Sequence, residues 1–164
     1  MSEAAVLTRP RTNVSHGGSI LIIDDEAGIR ESLETLLEFE GYSVESAETG
    51  EDGLARLNEH TFDLVLLDFA LPDRNGLEIL ADIRARDSQL AVIMITAYGT
   101  LDNAVRAMQK GATNFIQKPW DNEKLLADVR AAVARRRVEE ENEQLKRALK
   151  ERYNFEHIVG KSDS

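Results

Sequence analysis

The sequence predicts an α/β domain in which five parallel strands carry helices on both faces. Three observations lead there. Short apolar runs recur five times, and segments of helical period separate them. The connections have the length of crossovers rather than hairpin turns, so successive strands pair in parallel. The runs in the middle of the series, such as Val65-Leu66-Leu67 and Ala91-Val92-Ile93-Met94-Ile95, are apolar without alternation, as strands covered on both faces are.

Taken in order, Ile20-Leu21-Ile22-Ile23 is the first strand and stops on Asp24-Asp25-Glu26. Ile29, Leu33, Leu36 and Leu37 follow at helical spacing, and Gly41 ends that helix. Residues 42–47 form the second strand, with Tyr42 and Val44 on one face; residues 51–60 form the next helix around Leu54, Ala55 and Leu57. The third strand runs through Leu64-Val65-Leu66-Leu67 into Asp68, and a loop containing Pro72 and Asp73 follows. Residues 76–86 are helical, 91–95 form the fourth strand, and Thr96 stands at its end. A helix over 101–110 is closed by Gly111, a short fifth strand covers 113–117, and Lys118-Pro119 ends it. Asp121 caps the last helix, which opens with Leu125, Leu126 and Val129. The natural packing of such a series is the flavodoxin-like sheet order 2-1-3-4-5.

Composition narrows the function. Of 164 residues, 42% are hydrophobic, enough for a normal core. With no cysteine in the chain, disulfides, thiolate zinc sites and a cysteine nucleophile are all excluded. No apolar run approaches the roughly 20 residues of a membrane span, and no signal-peptide core is seen, so a cytoplasmic protein is expected. The formal charge of −10 is uneven: residues 19–130 hold 22 acidic against 10 basic side chains. Such a body repels phosphate backbones, and direct nucleic-acid binding by it is not expected.

If the strands are parallel, Asp24, Asp25, Asp68, Thr96 and Lys118 gather at the carboxyl edge of the sheet, where open α/β folds bind ligands. Strands one and three are neighbours in this order, so three carboxylates crowd together and need a cation or a raised pKa. An oxygen donor set without His or Cys favours a hard cation, Mg²⁺ in particular. Lys118 adds a point positive charge and Thr96 a hydroxyl donor, the partners a phosphoryl group needs. Each residue also has a plainer reading: Asp24-Asp25 or Thr96 as helix caps, Asp68 as a turn-former, Lys118 as a solvated surface lysine. It is their joint occurrence at four strand ends that favours a site.

The segments Ile22-Ile23-Asp24-Asp25-Glu26, Leu67-Asp68-Phe69-Ala70-Leu71-Pro72-Asp73-Arg74-Asn75-Gly76, Ile95-Thr96-Ala97 and Gln117-Lys118-Pro119 resemble the receiver domain of two-component response regulators. The resemblance covers residues 19–134, with 1–18 read as a disordered leader. It implies a phosphoacceptor, not an enzyme that turns over a separate substrate, in which Asp68 takes a phosphoryl group from a sensor histidine kinase. It implies Mg²⁺ ligated by Asp25, Asp68 and the backbone carbonyl of Ala70, with Asp24 reaching it through water. Thr96 and Lys118 are implied to hold phosphoryl oxygens, with a cis Lys118-Pro119 peptide, and Thr96 and Phe115 to form a switch acting on the face of helix four, strand five and helix five. Asn75-Gly76 stands where the family often has Asp-Gly, and Ala70 where methionine is frequent.

The last helix continues through 135–153 without glycine or proline. Ala131, Val138 and Leu145 repeat at seven, with Asn142 and Leu149 four beyond Val138 and Leu145, as in the seam of a parallel dimer with a polar register-fixing Asn142. A coiled-coil-like homodimer through this linker, or through the helix-four face, is the expectation; an isolated charged helix is the alternative. Residues 154–164 resemble the entry to the AAA+ ATPase domain of sigma-54-dependent activators, which implies ATPase and DNA-binding parts beyond Ser164. Gly160-Lys161-Ser162 lacks the upstream glycine of a P-loop, since Phe155 stands there. An aspartate-nucleophile phosphatase would need a second acid at Ala70, and a flavin binder a phosphate-cradling loop instead of Asp24-Asp25-Glu26. A stand-alone relay receiver remains the other output reading.

Overall fold

The computed structural model describes residues 17–97 and 99–163, with side chains through Arg152. Five strands alternate with five helices: β1 Ser19–Ile23, α1 Ala27–Phe39, β2 Ser43–Ala47, α2 Gly50–Glu59, β3 Leu64–Asp68, α3 Gly76–Arg86, β4 Ala91–Thr96, α4 Leu101–Gln109, β5 Asn114–Gln117 and α5 Asn122–Asp163. The sheet order is β2-β1-β3-β4-β5, and every pairing is parallel, as expected from the sequence.

The unbroken apolar runs are explained by two cores. Leu21, Ile23, Val65, Leu67, Val92 and Met94 meet Leu54, Leu77, Leu80, Ile83 and Ala107 of α2, α3 and α4. The alternate residues Ile20, Ile22, Leu64, Leu66, Ile93 and Ile95 meet Leu33 and Leu37 of α1 and Leu125 and Val129 of α5. Every residue of β3 and β4 is buried, and the two edge strands are only partly so.

Glycine stops two helices by the same device. Gly41 (φ 97°) and Gly111 (φ 103°) adopt left-handed backbone, and the residues after them donate back to Leu37 and Ala107 carbonyls at 3.2 and 3.0 Å. Strand β2 therefore starts at Ser43, one residue later than expected, because the Tyr42 N–H belongs to the cap. At the other boundary the body begins one residue earlier: the Gly18 carbonyl accepts from Ser43 N–H at 2.9 Å. The remainder of the expected leader, residues 1–16, lies outside the described residues.

Helix α5 starts at the carboxyl edge, crosses the sheet antiparallel to the strands and leaves at the amino edge. Its backbone stays helical across both expected boundaries, at 134/135 and 153/154, for 42 residues, about 63 Å at 1.5 Å per residue. Arg136 anchors the exit through Asp87 at 2.9 Å, and Arg137 bonds Asp63 and the Gly17 carbonyl. Of the expected segment 154–164, the side chains and the whole of residue 164 lie outside the described residues. Among the described residues no helix is long and apolar enough to cross a membrane.

Two glycines give opposite expectations. A Cβ on Gly76 would stand 2.3 Å from the Asp68 carbonyl and 2.8 Å from Phe69 Cα, both backbone atoms that cannot step aside. Gly76→Ala is expected to cost about 2–3 kcal/mol in urea unfolding. Gly28→Ala, in α1 with nothing within 4 Å, is expected to gain about 0.5 kcal/mol.

Candidate functional site

Register builds the carboxyl edge. Ile23 lies opposite Leu67 in the β1–β3 ladder, so the next residues, Asp24 and Asp68, emerge side by side. Asp68 in turn pairs with Ile95, and Thr96 pairs with Gln117, which leaves Lys118 one position beyond. The Lys118 N–H donates to the Thr96 carbonyl at 2.8 Å, and the Lys118–Pro119 peptide is cis.

The side chains converge. One carboxylate oxygen from each of Asp24, Asp25 and Asp68 lies within 4.8 Å of the others. Lys118 Nζ sits 2.9 Å from Asp24 Oδ2, 3.2 Å from Glu26 Oε1 and 3.5 Å from Asp68 Oδ2. Asp24 and Asp68 are only 2% and 6% exposed and Thr96 is fully buried, so this charge is concentrated where water screens poorly. Asp25 is exposed at the rim.

The electrostatics follow. Burial, and then the charge of Asp24, push the Asp68 carboxyl up to about 6, against the pull of Lys118 and of the Ala70 N–H that its carboxylate accepts. Burial opposes the charge of Lys118, but its hydrogen bond to Asp24, the charges of Asp68 and Asp24 and its hydrogen bond to Glu26 outweigh that and raise its pKa. The arrangement fits a hard cation: three oxygen ligands, no nitrogen or sulfur, and more negative charge than one lysine offsets.

Helix α1 has Glu26 at its N-cap position with no side-chain cap hydrogen bond, so Asp24-Asp25 do not cap it; the Asp24 Oδ1 accepts instead from the Glu26 N–H at 2.9 Å. The cap of α4 is Thr100, not Thr96. Lys118 is not solvated, its side chain being 11% exposed. Asp68 does form a turn through the Ala70 N–H, and it is also buried among charges; the two roles coincide.

Other candidates lie apart from this cluster. Phe115 is half-buried and packs against the core beneath α2, α3 and α4. Val138, Leu145 and Leu149 are 53%, 61% and 63% exposed on α5, and Asn142 is exposed with them.

Sequence reasoning missed three residues. Glu26 shares the Lys118 ammonium. Asp73, read as loop geometry, caps α2 from across the fold, its Oδ1 and Oδ2 accepting from Gly50 and Glu51 N–H at 2.9 and 3.0 Å. The slight burial of Asp73 is outweighed by these backbone donors, and its pKa falls below the usual carboxylate range. Arg74 adds ion pairs to Glu51, Glu78 and Asp82. The pairings of Glu26 with Lys118, of Asp73 with Gly50 and Glu51, and of Arg74 with Glu51 each span more than twenty residues and leave no local sequence signal.

Residues 20–130 match the family model described as response regulator receiver domain. YkoG of Bacillus subtilis, an uncharacterized transcriptional regulatory protein, is 43% identical over 71% of this chain and 51% of its own length. DctD of Rhizobium meliloti, a C4-dicarboxylate transport transcriptional regulatory protein, is 34% identical over 82% of this chain and 29% of its own length. The crystal structure of NtrX from Brucella abortus in complex with ADP superposes with a TM-score of 0.73 and 31% identity over 79% of this chain and 30% of that one. The chain thus spans about half of YkoG and under a third of the other two.

The raised carboxyl has a sign in metal-free buffer. The folded state binds the Asp68 proton more tightly than the unfolded chain, whose value is near 3.8, so ionisation costs stability as pH rises from there to about 6. Asp68→Asn is expected to stabilise the metal-free protein at pH 7 by about 1–2 kcal/mol, the gain shrinking as pH falls through about 6 and nearly gone by about pH 4. Urea unfolding in EDTA across that range checks it, and equal stability at pH 7 would count against the charge crowding.

Proposed function

This chain belongs to the response regulator receiver family of two-component signalling, and from that premise we propose that Asp68 accepts a phosphoryl group from a sensor histidine kinase. The observation that carries the reading is the buried Asp68 carboxylate with Asp24 and Asp25 beside it and Lys118 Nζ 3.5 Å away. In the transfer, an Asp68 oxygen attacks the phosphorus of the kinase phosphohistidine in line. A P–O bond forms as the P–N bond breaks, and the imidazole leaves with that electron pair. Mg²⁺, held by Asp24, Asp25, Asp68 and the Ala70 carbonyl, would supply the positive charge that lets a phosphoryl group approach three carboxylates.

Lys118 and Thr96 supply the rest. The ammonium turns from Asp24 and Asp68 toward a phosphoryl oxygen, and the Thr96 hydroxyl donates to another. The movement of Thr96 frees Phe115 to repack, which alters the face made of α4, β5 and α5. The exposed Leu101, Val105 and Met108 along α4 support a partner there, being 81%, 44% and 49% exposed.

Output runs through α5. Residues 19–134 form the receiver and 135–153 a linker that pairs with a second copy along Val138, Asn142, Leu145 and Leu149. Residues 154–164 open an AAA+ domain of a sigma-54-dependent activator, whose ATPase and DNA-binding parts belong to the full-length protein. The likeness to DctD, a transcriptional regulatory protein, and to NtrX, solved with ADP, supports a nucleotide-binding transcriptional output.

Asp68→Asn is expected to abolish incorporation of acid-labile phosphate from a phosphorylated kinase; retained incorporation overturns the assignment. Beryllofluoride with Mg²⁺ is expected to change self-association in sedimentation, and Leu145→Glu to remove the linker-dependent part. An unchanged profile overturns the linker reading and leaves Asp68 standing.

A further inference from the structure

The loop after Asp68 is bolted at both ends. At its base the Gly76 N–H donates to the Phe69 carbonyl at 2.8 Å, and Ala70 bridges Asn75 in antiparallel fashion. Asn75 caps α3, its Oδ1 accepting from the Leu77 N–H at 2.7 Å. At its tip Asp73 takes the first two amides of α2, and Thr49 Oγ1 takes the third, from Asp52, at 3.0 Å. The leading amides of that helix are thus satisfied by two side chains, one of them from the far loop.

We infer that Asp73 is a positioning residue for the Asp68 site: its clasp on the N-terminus of α2 sets where the loop presents Ala70 to Asp68 and to the cation. The inference rests on the proposed function, since the cation is the one named there. Only two residues separate Asp73 from Ala70, and the Ala70–Asn75 bridge removes the slack between them. Ala70 acts at the site through its backbone, with its N–H donating to the Asp68 carboxylate. A shift of the loop tip therefore reaches Asp68 directly. The partner surface is closely packed: a Cβ on Gly50 would lie 2.5 Å from the Ile79 side chain of α3, so α2 starts in close contact with the helix that the loop leads into.

The test compares Mg²⁺ affinity, by calorimetric titration, with backbone amide exchange at Ala70, in protein shown to be folded by its thermal melt. Asp73→Ala is expected to weaken Mg²⁺ by about 10-fold and to speed Ala70 exchange, the low end of what partners beyond the ligands commonly contribute to affinity. Asp73→Asn, which keeps one acceptor, is expected to fall between Asp73→Ala and wild type. Asp52→Asn removes a charge from the same helical turn without touching the loop and is expected to leave affinity within about 2-fold. Wild-type affinity and exchange in Asp73→Ala, even with a lowered melt, overturn the inference and reduce Asp73 to a helix cap. A loss in Asp52→Asn equal to that in Asp73→Asn also overturns it, in favour of charge alone. A wild-type protein without saturable Mg²⁺ binding overturns the metal part of the proposed function as well, and the wild-type titration alone reveals that case.

Discussion

Two carboxylates and one ammonium share a space that water scarcely reaches, and much of the carboxyl edge is arranged around that fact. Asp24 and Asp68 are neighbours because β1 and β3 are hydrogen-bonded neighbours in parallel. Neither can be moved without changing the sheet. Their mutual repulsion is only partly met by Lys118, which stands closer to Asp24 than to Asp68. The consequence is a carboxyl at Asp68 that holds its proton more tightly than usual, in a body that is itself acidic. Such crowding of negative charge is what a bound cation would relieve.

Rigidity around the site complements that tension. Strand β3 is buried along its whole length, so the backbone that carries Asp68 has no room to drift. The loop beyond it is closed by a glycine pressed against the Asp68 and Phe69 backbone and is tethered at its tip to α2. Proteins hold reactive groups best on regular elements with supporting contacts behind them. Here β3 is the regular element, and Asp73, Arg74 and Gly76 are the support.

The long helix contrasts with this. Up to Val133 it is a core element, with Leu125, Val129, Ala132 and Val133 buried at helical spacing against the sheet. Beyond the Arg136–Asp87 pair, among the described residues, its apolar side chains Val138, Leu145 and Leu149 face solvent. The helix is unbroken from its start beside Lys118 to its exit at the opposite edge of the sheet.

The sequence by itself determined the strand and helix order, the parallel sheet and the identity of the five clustered residues. Apolar periodicity and strand-end chemistry are local properties, readable from a few consecutive residues such as Ile20 to Asp25 or Leu64 to Asp68. It also showed the helix continuing past Ala134, since neither glycine nor proline interrupts that stretch. Tertiary structure alone decided which plain roles the residues also fill: Thr100 rather than Thr96 caps α4, and Asp68 makes a turn while it is buried among charges. It alone decided the division of the Lys118 ammonium among Asp24, Glu26 and Asp68, and the grip of Asp73 on α2. The physical reason is range. A cap or an ion pair between residues 22 or 92 positions apart exists only once folding has brought two elements together, and nothing in either neighbourhood announces it.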